Sequence, residues 1–254
     1  MPKKRLDLLL VERGLAASRA QAQALVMAGR VPGHAKAGEQ VDEDAALEVL
    51  EPPPYVSRAG QKLANALDAF EIDVAGLDAL DVGASTGGFT DVLLQRGAAR
   101  VVALDVGYGQ LHDKIRHDER VTVLERVNVR SLTELPFEPQ IVTCDVSFIS
   151  VKIALPPALR LAAPGWEALV LVKPQFEAGR AETPKGVVRD LEVRRRVVHE
   201  VAETLIAAGG EPRGVIDSGL PGPKGNHEFV LHLVQRERAE RPAGLDRWID
   251  DAVG

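Results

Sequence analysis

The chain has 254 residues, 45% hydrophobic and 27% charged, with 31 Lys and Arg against 37 Asp and Glu for a formal charge of −6. This suffices for one sizeable core plus a small appendage, and the acidic balance excludes a uniformly basic nucleic-acid binder while leaving room for a local basic patch. A single Cys excludes a disulfide framework or a cysteine-built zinc site, and no apolar run approaches the ~18 residues of a membrane-spanning helix.

Charge is unevenly distributed. Residues 1–36 carry Lys3, Lys4, Arg5, Arg13, Arg19, Arg30 and Lys36 against Asp7 and Glu12. A basic head thus precedes an acidic body, and a polyanion would dock on the head; a solvated basic helix face reads equally well from charge alone. The basic start is not followed by a secretory apolar stretch, because Asp7, Glu12 and Arg13 interrupt it, so a cytoplasmic protein is expected.

In the head, Leu6, Leu9, Leu10 and Arg13 keep helical spacing up to Gly14. Ser18-Arg19-Ala20-Gln21 has the form of a capping box, opening a second helix that Gly29 ends. From Val31 through Val41 to Leu47–Leu50 the pattern predicts short strands, with Gly33 and Gly38 in turns. Glu51-Pro52-Pro53-Pro54 can continue neither ladder nor helix and predicts a stiff linker over 51–56, between a head of residues 1–50 and a body of 57–236. Ser57 is placed to cap a helix over about 58–70.

From residue 78, apolar Val-rich runs at 79–84, 100–106, 121–125, 140–146 and 168–173 predict buried parallel strands. Helical segments lie between, clearest at 87–96 and 190–208, and a last strand runs from Glu228 to Val234 after a Gly/Pro-rich stretch. Strand–helix alternation predicts a doubly wound, Rossmann-like α/β sheet. Residues 237–254 form a charged tail that Trp248-Ile249 would pack down.

The sharpest local signal is Asp81-Val82-Gly83-Ala84-Ser85-Thr86-Gly87-Gly88-Phe89-Thr90, a strand entering a glycine-rich turn and then a helix. A second strand ends in Asp105, where a carboxylate accepts from ribose hydroxyls. A dinucleotide turn would set a pyrophosphate here, and Asp81 would oppose it. An acidic residue suits a cationic ligand end, such as the amino group of S-adenosylmethionine. Asn128, after the third strand, reads either as an adenine or ribose contact or as a turn former.

With these stretches in view the chain resembles the TlyA family, long labelled haemolysins and also described as ribosomal RNA 2′-O-methyltransferases. The matching residues are Arg5-Leu6-Asp7, Ser18-Arg19-Ala20-Gln21-Ala22, Val56-Ser57-Arg58-Ala59-Gly60-Gln61-Lys62-Leu63 and the Asp81–Thr90 turn. They continue with Asp105-Val106-Gly107-Tyr108-Gly109-Gln110-Leu111, Asp145-Val146-Ser147-Phe148-Ile149-Ser150, Lys173-Pro174-Gln175-Phe176-Glu177 and Gly225-Asn226-His227-Glu228-Phe229. The resemblance implies a small α+β S4-like RNA-binding head on a class I methyltransferase body of FtsJ type, mostly parallel with an antiparallel last strand. It departs at Val31–Gly38, several residues short for the S4 hairpin, with Ala37 where proline is common.

By the same resemblance, a catalytic Lys-Asp-Lys-Glu tetrad falls on Lys62, Asp145, Lys173 and Glu228. The S-adenosylmethionine contacts fall on Asp81, Gly83, Ser85, Thr86, Gly87, Gly88, Phe89, Asp105, Asn128 and Asp145. Lys4, Arg5, Arg19 and Arg30, with Arg58 opening the first helix of the body, are the candidate contacts to ribosomal RNA. No metal is expected, since the six His are scattered and form no ligand pair with Cys.

These residue types suit the chemistry. A ribose hydroxyl is a poor nucleophile, so the enzyme must align it with an already activated methyl and help its proton leave. Lys173 ends an apolar strand and serves either as base or as a cation beside the developing oxyanion. Phe148 and Phe176 follow Asp145 and Lys173; core packing is the favoured reading, stacking on a splayed base the other. Three rivals remain: a membrane-active haemolysin, which needs an apolar amphipathic helix or a long apolar segment, neither of which the sequence offers; an RNA-binding assembly protein without catalysis; and a small-molecule methyltransferase, which leaves the basic head unused.

Overall fold

The computed structural model describes residues 2–254 and divides into two compact units, Met1–Pro54 and Tyr55–Gly254. The first contains β1 (Lys3–Arg5), α1 (Leu6–Glu12), α2 (Arg19–Met27) and β2 (Gln40–Asp42). Leu6, Leu9, Leu10, Ala22, Leu25 and Val26 close its small core. At its centre Asp7 is buried and accepts from Arg5 Nε and Nη2, Arg19 Nε and Gln23 Nε2 at 2.9–3.0 Å. The Arg5 guanidinium, then Arg19 and Gln23, hold the Asp7 carboxyl well below the usual range against the opposing effect of burial.

Two local expectations for this unit need correction. Ser18 Oγ accepts the Gln21 N–H at 3.2 Å, but the Gln21 side chain takes the Ala17 N–H rather than closing the box on Ser18. Of the strands expected over Val31–Leu50, only Gln40–Asp42 forms, antiparallel to Lys3–Arg5. The 47–50 segment is tied instead by the Leu50 N–H to the Arg30 carbonyl at 2.8 Å. The partner strand is the basic start of the chain, whose lack of apolar alternation hid it.

The second unit runs α3 (Arg58–Ala69), β3 (Asp78–Val82), α4 (Gly88–Gln95), β4 (Arg100–Asp105), α5 (Asp113–Arg116), β5 (Val121–Glu125) and β6 (Ile141–Cys144). It continues with α6 (Val151–Leu159), β7 (Glu167–Val172), α7 (Pro174–Glu177), α8 (Leu191–Ala207), β8 (Gly210–Asp217), β9 (Phe229–Gln235) and α9 (Leu245–Val253). Among the described residues the strands form one seven-stranded sheet in the order β5-β4-β3-β6-β7-β9-β8, with β9 antiparallel to both neighbours and the remaining pairs parallel. Apolar clusters cover both faces, which is why β3, β4, β6 and β7 read as near-continuous apolar runs. The order reverses at β3, and the crevice at the carboxyl ends of the strands beside such a reversal is where open α/β sheets bind ligands.

One strand differs from the sequence reading. β8 lies where no strand is predicted, and only its last four residues fall in the Gly/Pro-rich stretch of 214–225. It is an edge strand with a register shift between Pro212 and Gly214, the position where a sheet tolerates proline. The charged tail packs down at Trp248 and Ile249 as expected, and does so as the helix α9, whose Leu245, Ile249 and Val253 are buried in the core.

Candidate active site

Gly83 leaves β3 at φ +85°, and a Cβ there would stand 2.5 Å from the Asp145 carbonyl oxygen. The turn can cross the end of β6 only because that side chain is missing. The Gly83 and Ala84 N–H groups both donate to the Leu104 carbonyl, at 2.8 and 3.1 Å. Ser85 sits at φ +49° and donates its N–H to Asp105 Oδ2 at 2.8 Å; the other Asp105 oxygen takes the Gly107 N–H at 2.6 Å. Asp105 therefore braces two turns while lining the cavity beside them.

Asp81 lies under this turn, fully buried, accepting from Thr90 Oγ1 at 2.7 Å and Thr143 Oγ1 at 3.0 Å. Burial pushes its carboxyl up to about 7 despite those two bonds. It does not line either cavity described below, so the structure gives it a supporting place beneath the turn.

Two cavities meet at the turn. One of about 530 Å³ is lined by Gly83, Ser85, Asp105, Gln110, Asn128, Asp145 and Phe148, among others. A second of about 110 Å³ is lined by Ser57, Ser85, Thr86, Gly88, Phe89, Asp145, Ser147 and Lys173, among others. Asn128 Oδ1 meanwhile accepts the Arg130 N–H at 3.0 Å. Gly87, at φ +90°, is the residue before α4 and its Cβ would press on Leu111 at 2.9 Å, so its part is to start the helix.

Ser57 precedes α3 with a backbone fit for capping, yet its side chain caps nothing and its buried Oγ has no partner. A Cβ on Gly88 would collide with that oxygen. The partnerless Ser57 hydroxyl borders the small cavity and the Asp105 carboxylate the larger one, so the residues present fit a group with ribose hydroxyls and a polar tail, such as S-adenosylmethionine.

Asp145 follows β6 and Lys173 follows β7, both at the carboxyl edge of the sheet, and the two form an ion pair. Lys173 Nζ also donates to Ser147 Oγ at 3.1 Å. Burial pushes the Asp145 carboxyl up, with the Lys173 charge pulling the other way and the Glu228 and Lys62 charges also felt. Lys62, from α3, forms a buried ion pair with Glu228, just ahead of β9. Gln175, two residues past Lys173, reaches the second pair: its Nε2 donates to Glu228 Oε1 at 2.8 Å, while its Oε1 is buried without a partner. The four tetrad positions thus come together as two ion pairs.

Phe148 corrects the favoured sequence reading. Held at φ +65°, it is 92% exposed rather than in the core, its ring centroid 5.1 Å from that of Phe176. In the first unit, Lys4 pairs with Glu12 and Glu43, Arg5 and Arg19 are drawn to Asp7, and Arg30 donates to the Leu50 carbonyl. Arg58 is exposed and reaches the Pro221 carbonyl at 3.5 Å. Sequence reasoning missed Ser147, Gln110 and Gln175, although all three stand inside the quoted motifs, and read Ser57 only as a cap. Among the described residues, no helix is long and apolar enough to cross a membrane and no group of three His, Cys, Asp or Glu could hold a metal.

Comparison with known proteins adds to this geometry. Residues 55–235 match the FtsJ-like methyltransferase family and residues 4–31 the S4 domain. The chain is 47% identical over 240 residues to YqxC of Bacillus subtilis, covering 91% of this chain and 85% of that one. It is 46% identical over 262 residues to TlyA of Mycobacterium tuberculosis, a protein named 16S/23S rRNA (cytidine-2′-O)-methyltransferase, covering 99% and 97%. A hemolysin-named protein of Streptococcus thermophilus whose structure is solved superposes with a TM-score of 0.76 at 38% identity, over 98% of this chain and 95% of that one.

Proposed function

The chain belongs to the TlyA family, an S4 domain followed by an FtsJ-like methyltransferase, and on that premise we propose that it methylates the 2′-hydroxyl of a cytidine in ribosomal RNA, in the cytoplasm, using S-adenosylmethionine. The observation that carries this reading is the Lys173–Asp145 ion pair on the wall of the small cavity, where that cavity meets the larger one. The cofactor supplies a methyl group already activated on a sulfonium. Every other requirement falls on the protein. Asp105, fixed by the Ser85 and Gly107 N–H groups, is set to accept from ribose hydroxyls. Asp145 and Ser147 aim Lys173 at the site of transfer.

Of the two roles open to Lys173, the ion pair favours the cation. An ammonium held beside the ribose oxygen would stabilise the negative charge that develops there as the hydroxyl proton passes to water and the oxygen takes the methyl group, whose bond to the sulfonium sulfur breaks. Lys62 and Glu228, clamped by Gln175, build the neighbouring wall and shape the local field. The exposed Phe148 ring, set against half-buried Phe176, offers a face on which a base drawn out of its stack can rest. Among the described residues no helix is long and apolar enough to cross a membrane, so the old haemolysin label has no spanning helix to rest on.

The test is transfer of labelled methyl from S-adenosylmethionine to purified ribosomal subunits and free rRNA, wild type beside Lys173→Ala, followed by mapping of protected 2′-O positions. Label on a ribose oxygen, reduced by roughly 10²–10⁴ in the variant with cofactor binding intact, is expected. Measurable cofactor binding with no label on any subunit or rRNA would overturn the assignment.

A further inference from the structure

Two copies of one tripeptide, Pro184-Lys185-Gly186 and Pro223-Lys224-Gly225, make the same short turn. In each the lysine is left-handed, at φ 57° and 60°, and the glycine after it stands at φ 78° and 80°. The lysine position of such a turn is ordinarily glycine or asparagine, because a side chain there costs about 1–2 kcal/mol. Lysine occupies it twice.

The two turns lie against each other. Lys224 Nζ donates to the Lys185 carbonyl at 3.1 Å. Asn226, buried, staples them: its Nδ2 donates to the Gly186 carbonyl at 2.9 Å and the Pro223 carbonyl at 3.1 Å, and its Oδ1 accepts the Val188 N–H at 3.1 Å. The pair is also fastened to the tetrad. Gly222 packs so closely on the Glu228 carboxylate that a Cβ there would collide with it, and Arg58, one helical turn ahead of Lys62, reaches Pro221. Lys185, Lys224 and Arg58 are exposed, and among the described residues none of them makes an ion pair. Nearby carboxylates are already engaged: Glu182 by Arg196, Asp190 capping α8, and Asp217 beside His227. Three unpaired cations on a stiffened lip stand out on an acidic body. Because the loops are already ordered, little conformational entropy is lost when an anion binds them.

We infer that the paired turns are a phosphate clamp for the RNA strand flanking the target nucleotide, with Lys185 and Lys224 on backbone phosphates and Arg58 at its edge. The clamp rests on the reading that the substrate is RNA. It carries no sequence information; it fixes the register of the strand over Lys173.

The experiment compares the full-length chain with Lys185→Ala/Lys224→Ala on 16S and 23S rRNA extracted from ribosomal subunits, over a salt series. Methyl transfer is measured in the same samples. The slope of log affinity against log salt is expected to fall by roughly 0.7–0.9 per lost contact, with cofactor affinity and thermal unfolding unchanged. Lys185→Arg/Lys224→Arg should keep the wild-type slope, as should Arg160→Ala, which removes an exposed cation at the end of α6. A wild-type slope in the double alanine variant, with transfer present in the wild type, overturns the clamp. Absence of transfer in the wild type overturns the RNA reading itself.

Discussion

Removing Lys62 tests whether the buried Lys62–Glu228 pair is held by charge or merely by packing. Both side chains are out of solvent, and without the ammonium the Glu228 carboxylate keeps only the Gln175 amide as a donor. Stranding a buried charge in this way costs about 3–5 kcal/mol. Lys62→Met should therefore lose roughly 3–5 kcal/mol. Lys62→Met/Glu228→Gln removes both charges and should recover about 2 kcal/mol or more relative to the sum of the single losses. Both tryptophans, Trp166 and Trp248, lie in the second unit, so fluorescence-detected urea unfolding reports on that unit alone. Single losses that simply add in the double variant would refute the charge-based account.

Other consequences are as direct. Asp81 carries a carboxyl raised to about 7, so the stability it contributes is full below about pH 4 and is lost as pH rises through 7; Asp81→Asn should raise the melting temperature at pH 8, by up to about 4 kcal/mol in stability, and change it little at pH 4. An equal change at both would sink that explanation. Gly83→Ala places a Cβ against the Asp145 carbonyl at positive φ, and a penalty of about 1–2 kcal/mol should weaken S-adenosylmethionine binding roughly tenfold or more by calorimetry. Phe148→Ala removes an exposed ring, so unfolding should shift by less than about 0.5 kcal/mol. Methyl transfer to rRNA should meanwhile fall by roughly tenfold or more if the ring stacks a base; a transfer rate left at the wild-type level would remove Phe148 from the substrate site.

The parallel strands, the glycine turn and the α4 and α8 helices were legible in the sequence because each is specified within a few residues. Strands covered on both faces must be apolar throughout, and a helix repeats its apolar face every three to four positions. β8 escaped because Gly210, Pro212 and Gly214 dilute the signal of an edge strand that a bulge makes tolerable. β1 escaped because a basic tripeptide becomes a strand only through its partner at Gln40–Asp42. Residue types at the site were equally legible; their arrangement was not. Lys62 and Glu228 stand 166 positions apart, and only the closing of the sheet by β9 brings their charges into one dry pocket. The exposure of Phe148 follows from a single left-handed residue after β6, and the orphaned Ser57 hydroxyl from the approach of Gly88. The clamp at Lys185 and Lys224 exists because Asn226 joins two loops some 40 residues apart. Local chemistry is written in neighbouring residues, whereas the desolvation and pairing that give these charges their function arise only when distant segments exclude water together.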